Sequence, residues 1–202
     1  MRKIIYRIAW SIAWVVAKVI FPFKAEGKEN IPAEGGFVMC INHISLIDPV
    51  IVMLTCPRHV RFVAKAELFK NKLFGELMKT CGAFPINRGQ NDTDAISVAE
   101  SIVKGGEPLG IFVEGTRTKS PTGEPGRPKS GAALIASETG AMVMPVAVVY
   151  KCGRPRPFRR CTVRYGQPFE LRADEQEGQR GRLRKITGEI FDRIVALWRQ
   201  GI

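Results

Sequence analysis

The chain has 202 residues, 45% of them hydrophobic and 25% charged, which is enough for one domain with its own core and no need of disulfide or metal staples. Five cysteines, Cys40, Cys56, Cys81, Cys152 and Cys161, are odd in number and lack C-x-x-C spacing, so they read as reduced core thiols of a cytosolic compartment; two distant histidines without a Cys/His cluster argue against a zinc site. A net charge of +12, from 31 Lys and Arg against 19 Asp and Glu, calls for an anionic partner: nucleic acid, an anionic membrane or a phosphorylated substrate.

Residues 4 to 23, IIYRIAWSIAWVVAKVIFPF, are the most apolar segment. As a helix they would be about 30 Å long, near one hydrocarbon thickness. Arg7 and Lys18 interrupt the run and fall within about 20° of each other on a helix, with Lys3 and Ser11 on the same side. A narrow cationic stripe on an apolar helix carrying Trp10 and Trp14 suits an interfacial position, with the charges toward lipid phosphates. The other readings are a spanning anchor with snorkelling charges and a buried helix packed on the domain. The expected division is therefore an N-terminal amphipathic, membrane-associating helix over 1–24 and an α/β domain over 25–202, entered through a Gly/Pro/Glu-rich linker from Lys24 to Gly36.

The apolar run Phe37 to Ile41 predicts a strand, and it delivers Asn42-His43-Ile44-Ser45-Leu46-Ile47-Asp48. Five residues of helix turn through about 500°, so His43 and Asp48 can meet only across a turn. Asp48-Pro49 suits a helix start, with Asp48 as N-cap and the helix running to Thr55. A carboxylate holding the imidazole Nδ1–H fixes the tautomer and makes Nε2 a base for a substrate hydroxyl. The plain alternative is that Asp48 merely caps its helix.

Further along, Arg61 to Ala64 predicts a strand and Ala66 to Thr80 a helix, with Leu68, Phe69, Leu73, Leu77 and Met78 on one side. Ala83 to Asn87 predicts a strand ending in Arg88, followed by a helix through Lys104. Leu109 to Val113 reads as a buried parallel strand and leads directly into Glu114-Gly115-Thr116-Arg117. A Pro/Gly-rich loop, a helix over Lys129 to Thr139 and strands at Met142 to Tyr150 and Cys161 to Tyr165 follow, and a helix from about Asp174 to Arg199 ends the chain. Strands alternating with helices give the expected fold class: α/β, a mostly parallel sheet flanked by helices and preceded by the membrane-associating helix.

Ligand sites of open parallel sheets gather at the carboxyl ends of the strands. His43, Arg88 and the Glu114 to Arg117 turn all fall there. Arg88 and Arg117 can each present paired donors to a phosphate, Gly115 lets the backbone turn closely around an anion, and Lys65 adds a point charge. Glu114 reads better as a partner that orients an arginine or the Thr116 hydroxyl than as a second base.

Four blocks then carry a resemblance: Asn42-His43-x-Ser45-x-x-Asp48, Gly82-Ala83-Phe84-Pro85-Ile86-Asn87-Arg88, Glu114-Gly115-Thr116-Arg117 and Val143-Met144-Pro145-Val146. In order and spacing they resemble the glycerolipid acyltransferase family, and within it the bacterial 1-acyl-sn-glycerol-3-phosphate acyltransferases. Lys65-Ala66-Glu67-Leu68 and Lys129-Ser130-Gly131 also resemble family positions. The resemblance implies direct acyl transfer from a thioester to the free hydroxyl of lysophosphatidic acid, giving phosphatidic acid. It assigns His43 and Asp48 to catalysis, Lys65, Arg88, Glu114, Gly115, Thr116 and Arg117 to substrate binding, and Asn42 and Ser45 to support of the turn.

No metal or cofactor is implied, acyl-CoA or acyl-carrier protein being the donor substrate. The implied partners are the acceptor lipid, the acidic donor and an anionic membrane surface, with no nucleic acid. The implied location is the cytoplasmic face of the cell membrane, peripheral or monotopic. The cluster Arg154, Arg156, Arg159 and Arg160 is placed to serve that surface or the donor, or to be a solvated loop. Competing readings are an acyltransferase acting on glycerol 3-phosphate or another lysophospholipid, and a non-catalytic basic protein that binds membranes or nucleic acid.

Overall fold

The computed structural model describes residues 18–20, 22–70, 75–76, 78–79, 82–86, 92–171 and 178–201. The expected N-terminal helix over 1–24 lies mostly outside the described residues. Among those described, no helix is long and apolar enough to cross a membrane.

The strands are β1 (Phe23–Glu26), β2 (Val38–Ile41), β3 (Arg61–Lys65), β4 (Ala83–Ile86), β5 (Leu109–Phe112), β6 (Val143–Tyr150) and β7 (Cys161–Tyr165), and the helices are α1 (Asp48–Thr55), α2 (Asp92–Lys104), α3 (Gly131–Thr139) and α4 (Gln179–Arg199). One seven-stranded sheet takes the order β1-β7-β6-β2-β5-β3-β4. Every neighbouring pair is parallel except β6 and β7.

The central strands β2 and β6 are buried along their whole length, which explains why VMCI and VMPVAVVY are continuous apolar runs rather than alternating ones. Alternate residues of β2 feed two cores. Met39 and Ile41 pack with α1 residues Ile51 and Val52, while Val38 and Cys40 pack with the apolar faces of α2, α3 and α4. Pro145 is tolerated inside β6 because its carbonyl accepts from Gly166, just past the end of β7 (2.9 Å). The donor that proline lacks therefore points where the ladder has already ended.

Three expectations need correction. Residues 24–26, read as linker, belong to β1, a parallel edge strand on β7 that spans the boundary expected between residues 24 and 25. Its four residues alternate apolar and polar, Phe23 and Ala25 packing against the core while Glu26 forms an ion pair with buried Arg164 of β7 (2.8 Å). The Lys24 ammonium, then Arg164, lower the Glu26 pKa against the opposing effect of burial. Second, Ala66–Phe69 is a short 3₁₀ turn, and the rest of the helix expected through Thr80 is described only in part. Third, Ile47 rather than Asp48 occupies the N-cap of α1, and no side chain caps that helix.

Candidate active site

The Asp48 side chain turns away from its own helix because upstream donors claim it. Its Oδ2 accepts from the backbone amides of Ile44 (2.6 Å) and Ser45 (2.7 Å) and from His43 Nδ1 (2.9 Å). Its Oδ1 accepts from the Tyr150 hydroxyl at 2.6 Å. Four donors thus surround a fully buried carboxyl, leaving it a purely accepting role. The bond to His43 assigns the Nδ1–H tautomer, so Nε2 presents its lone pair. Among the described residues Nε2 has no hydrogen-bond partner.

The imidazole is held face-on as well as edge-on. Its ring stacks on Phe112, with centroids 4.1 Å apart and 25° between planes, and Phe112 in turn stacks on Phe62 at 5.9 Å. Gly110 makes room for this column: a Cβ there would sit 2.6 Å from the Phe62 ring. Ile41 stands opposite both Phe112 and Val146 in the sheet, so the turns after β2 and β5 leave side by side.

Those two turns are hydrogen-bonded on both sides of His43. The His43 N–H donates to Glu114 Oε1 (3.2 Å), and its carbonyl accepts from Thr118 N–H (2.7 Å). Asn42 completes the frame by donating from Nδ2 to the Val148 carbonyl (3.0 Å) and accepting at Oδ1 from Val148 N–H (2.7 Å). Ser45 contributes its amide to Asp48 and, more weakly, its Oγ to Ile47 N–H at 3.4 Å.

Glu114 is 5% exposed, and its second oxygen, Oε2, makes no hydrogen bond, with the Gly126 backbone beside it. Burial pushes its pKa up to about 7, the His43 and Gly126 amides pull against that rise, and the Asp48 charge adds to it. Its carboxyl accepts from the backbone of His43 and is buried, whereas Thr116 and Arg117 are exposed. Gly115 adopts φ 68°, a left-handed turn that a residue with a Cβ enters only with strain. The Lys129 side chain lies over it, with Nζ 3.4 Å from where a Cβ would stand. Of the other expected phosphate ligands, Lys65 ends β3 on the same edge of the sheet, and Arg88 lies outside the described residues.

Sequence reasoning missed Tyr150 and the use of Asn42 as a clamp on β6. The one available signal for Tyr150 was a hydroxyl closing an otherwise wholly apolar strand. Burial and the Asp48 charge both raise the Tyr150 pKa, keeping it a donor. The thiols Cys40, Cys56, Cys152 and Cys161 are free, and burial pushes Cys40 up to about 12. No group of metal-ligating side chains occurs among the described residues.

The His/Asp turn ending a central parallel strand, laced to a Glu-Gly-Thr-Arg turn on the next strand, falls within the span matched by an acyltransferase family model. The chain belongs to that family, whose model, described as Acyltransferase, matches residues 22–149. It is 29% identical over 195 residues to the 1-acyl-sn-glycerol-3-phosphate acyltransferase of Bacillus subtilis (strain 168), covering 95% of this chain and 96% of that protein. The Streptococcus pneumoniae (strain ATCC BAA-255 / R6) protein of the same name is 35% identical over 121 residues, 58% of this chain and 44% of its own. Among solved structures, the 1-acyl-sn-glycerophosphate (LPA) acyltransferase PlsC from Thermotoga maritima superposes with a TM-score of 0.66 at 27% identity, covering 88% of this chain and 72% of that one.

Proposed function

We propose that the chain transfers a fatty acyl group from an acyl thioester to the free hydroxyl of 1-acyl-glycerol 3-phosphate, forming phosphatidic acid for phospholipid synthesis. The observation that carries this reading is the His43 imidazole, fixed at Nδ1 by Asp48 and on its face by Phe112, with Nε2 left to meet a hydroxyl. Nε2 takes the acceptor's proton as its oxygen attacks the thioester carbonyl carbon. The tetrahedral intermediate collapses with cleavage of the C–S bond, and the departing thiolate recovers the proton from His43. Atoms balance between the two substrates, so the step calls on no cofactor and no acyl-enzyme. Ser45 is a poor nucleophile here, being two residues from the base on a tight turn.

The acceptor phosphate is assigned to Arg117 on its exposed turn, with Gly115 and Thr116 shaping the backbone and Lys65 and Arg88 as further cations. Glu114 supports that pocket from below through its bond to His43. The acceptor and product are membrane lipids, which places the working enzyme at the cytoplasmic face of the cell membrane with acyl-CoA or acyl-carrier protein as donor.

Acyl transfer from each donor to 1-acyl-glycerol 3-phosphate and to glycerol 3-phosphate tests the reading. Turnover on the lysophospholipid is expected, and turnover on glycerol 3-phosphate alone would overturn it. Arg117→Ala is expected to raise the acceptor KM by about tenfold or more, as loss of a charge-assisted bond predicts. An unchanged KM would remove Arg117 from the phosphate site.

A further inference from the structure

The loop of residues 151–160, between β6 and β7, is not used by the chemistry, yet it stands at the carboxyl end of the sheet where His43 lies. Tyr150, which holds Asp48, is the residue just before it. The loop packs on the segment following Arg117: Arg154 Nη2 donates to the Lys119 carbonyl (3.2 Å), and a Cβ on Gly123 would lie 2.3 Å from the Gly153 oxygen. It therefore shares a rim with the acceptor site.

Phe158, near the β7 end of the loop, combines two unfavourable features. It is 71% exposed, and its φ of 60° makes it the one non-glycine residue with positive φ among those described. Its N–H donates to the Ile20 carbonyl (2.6 Å), which ties this part of the loop to residues 18–20, where Val19 is 60% exposed. Around this apolar point lie cations. Lys151, Arg159 and Arg160, with Phe158 and Pro22, line a cavity of about 310 Å³. Arg154 and Arg156 stand on the same loop.

We propose that this loop is a bilayer-docking rim, in which Phe158 enters the boundary between headgroups and acyl chains while Lys151, Arg159 and Arg160 bind anionic lipid phosphates. An aromatic projecting from a ring of cations matches the layered chemistry of an anionic membrane, apolar beneath charge, better than that of an acidic protein, which cations alone would serve. Docking there sets the mouth of the His43 site at headgroup depth. The assignment rests on the proposed function in one respect, that the acceptor is a membrane lipid.

The test uses the full chain with vesicles of phosphatidylcholine alone or mixed with phosphatidylglycerol. Phe158→Gly removes the ring while favouring the observed φ, so its unfolding temperature is expected to match or exceed that of the parent. Its partition onto mixed vesicles is expected to fall about tenfold. The double variant Arg159→Ala, Arg160→Ala is expected to lose roughly tenfold or more on mixed vesicles and to bind neutral vesicles like the parent. Both should turn over a short-chain, water-soluble lysophosphatidic acid at the parental rate with acyl-CoA. Parental partition by both variants would overturn the proposal, as would a selective rise in the KM for acyl-carrier-protein donor with vesicle binding intact. Absence of turnover in the parent itself would defeat the proposed function and leave the vesicle result standing.

Discussion

Two buried carboxyl groups flank His43, and the protein treats them in opposite ways. Asp48 receives four donors, two of them backbone amides, and grips the imidazole ring. Glu114 receives the His43 amide on one oxygen, leaves the other without a hydrogen bond, and has its pKa raised to about 7. Burial is shared, so the number of donors decides what each group can do. Asp48 holds the imidazole ring through one of four accepted hydrogen bonds, whereas Glu114 is a strut between the two turns whose pKa burial raises.

The largest effect expected from breaking this contrast is at Asp48. Asp48→Asn places an amide N–H₂ among donors, so the ring loses its fixed tautomer and turnover should fall at least about 10²-fold, with the sheet still folded. Turnover within threefold of the parent would strip Asp48 of its orienting role. Circular dichroism and kcat on the same preparation check both halves.

Glu114 comes next and is read through stability. A carboxyl whose folded pKa stands near 7, against 4.5 for the ordinary group, retains its proton in the native state when the unfolded chain has lost it. Stability is therefore full below about pH 4.5 and declines as pH rises through 7, by on the order of 1–3 kcal/mol after allowance for solvent screening. Glu114→Gln should abolish that decline, so the stability difference between parent and variant should change between pH 5 and pH 8, measured by denaturant unfolding. A difference independent of pH would contradict the assignment.

The smallest effect is expected at Tyr150, one donor among four. Tyr150→Phe should cost about 1–2 kcal/mol of stability and only a few-fold in turnover, because the imidazole and both amides still hold Asp48. A loss of turnover as deep as that of Asp48→Asn would mean that the hydroxyl, not the amides, keeps the carboxylate in place.

Much of this was legible because parallel strands buried on both faces spell themselves out as apolar runs. Val38 to Ile41, Leu109 to Phe112 and Val143 to Tyr150 announced their own ends, and with them where His43 and Glu114 would emerge. The local His43–Asp48 pairing was legible for the same reason: five residues across a turn leave few geometries. What the sequence did not disclose are bonds between distant segments. Tyr150 meets Asp48 across 102 positions, Asn42 meets Val148 across 106, and Glu114 meets the His43 amide across 71. Their side chains carry no periodicity, and only the register of the sheet brings them together. Edge strand β1 was hidden for a related reason: its alternation covers only four residues, and its pairing with β7 and its ion pair to Arg164 join positions 138 residues apart.

The central claim is that His43 removes the proton from the acceptor hydroxyl. Its most direct test is the rate of acyl transfer to 1-acyl-glycerol 3-phosphate by His43→Ala, at saturating donor and acceptor, on protein shown to retain the parental unfolding transition. A fall of at least about 10²-fold in kcat is the predicted result; a kcat within a few-fold of the parent would contradict the account.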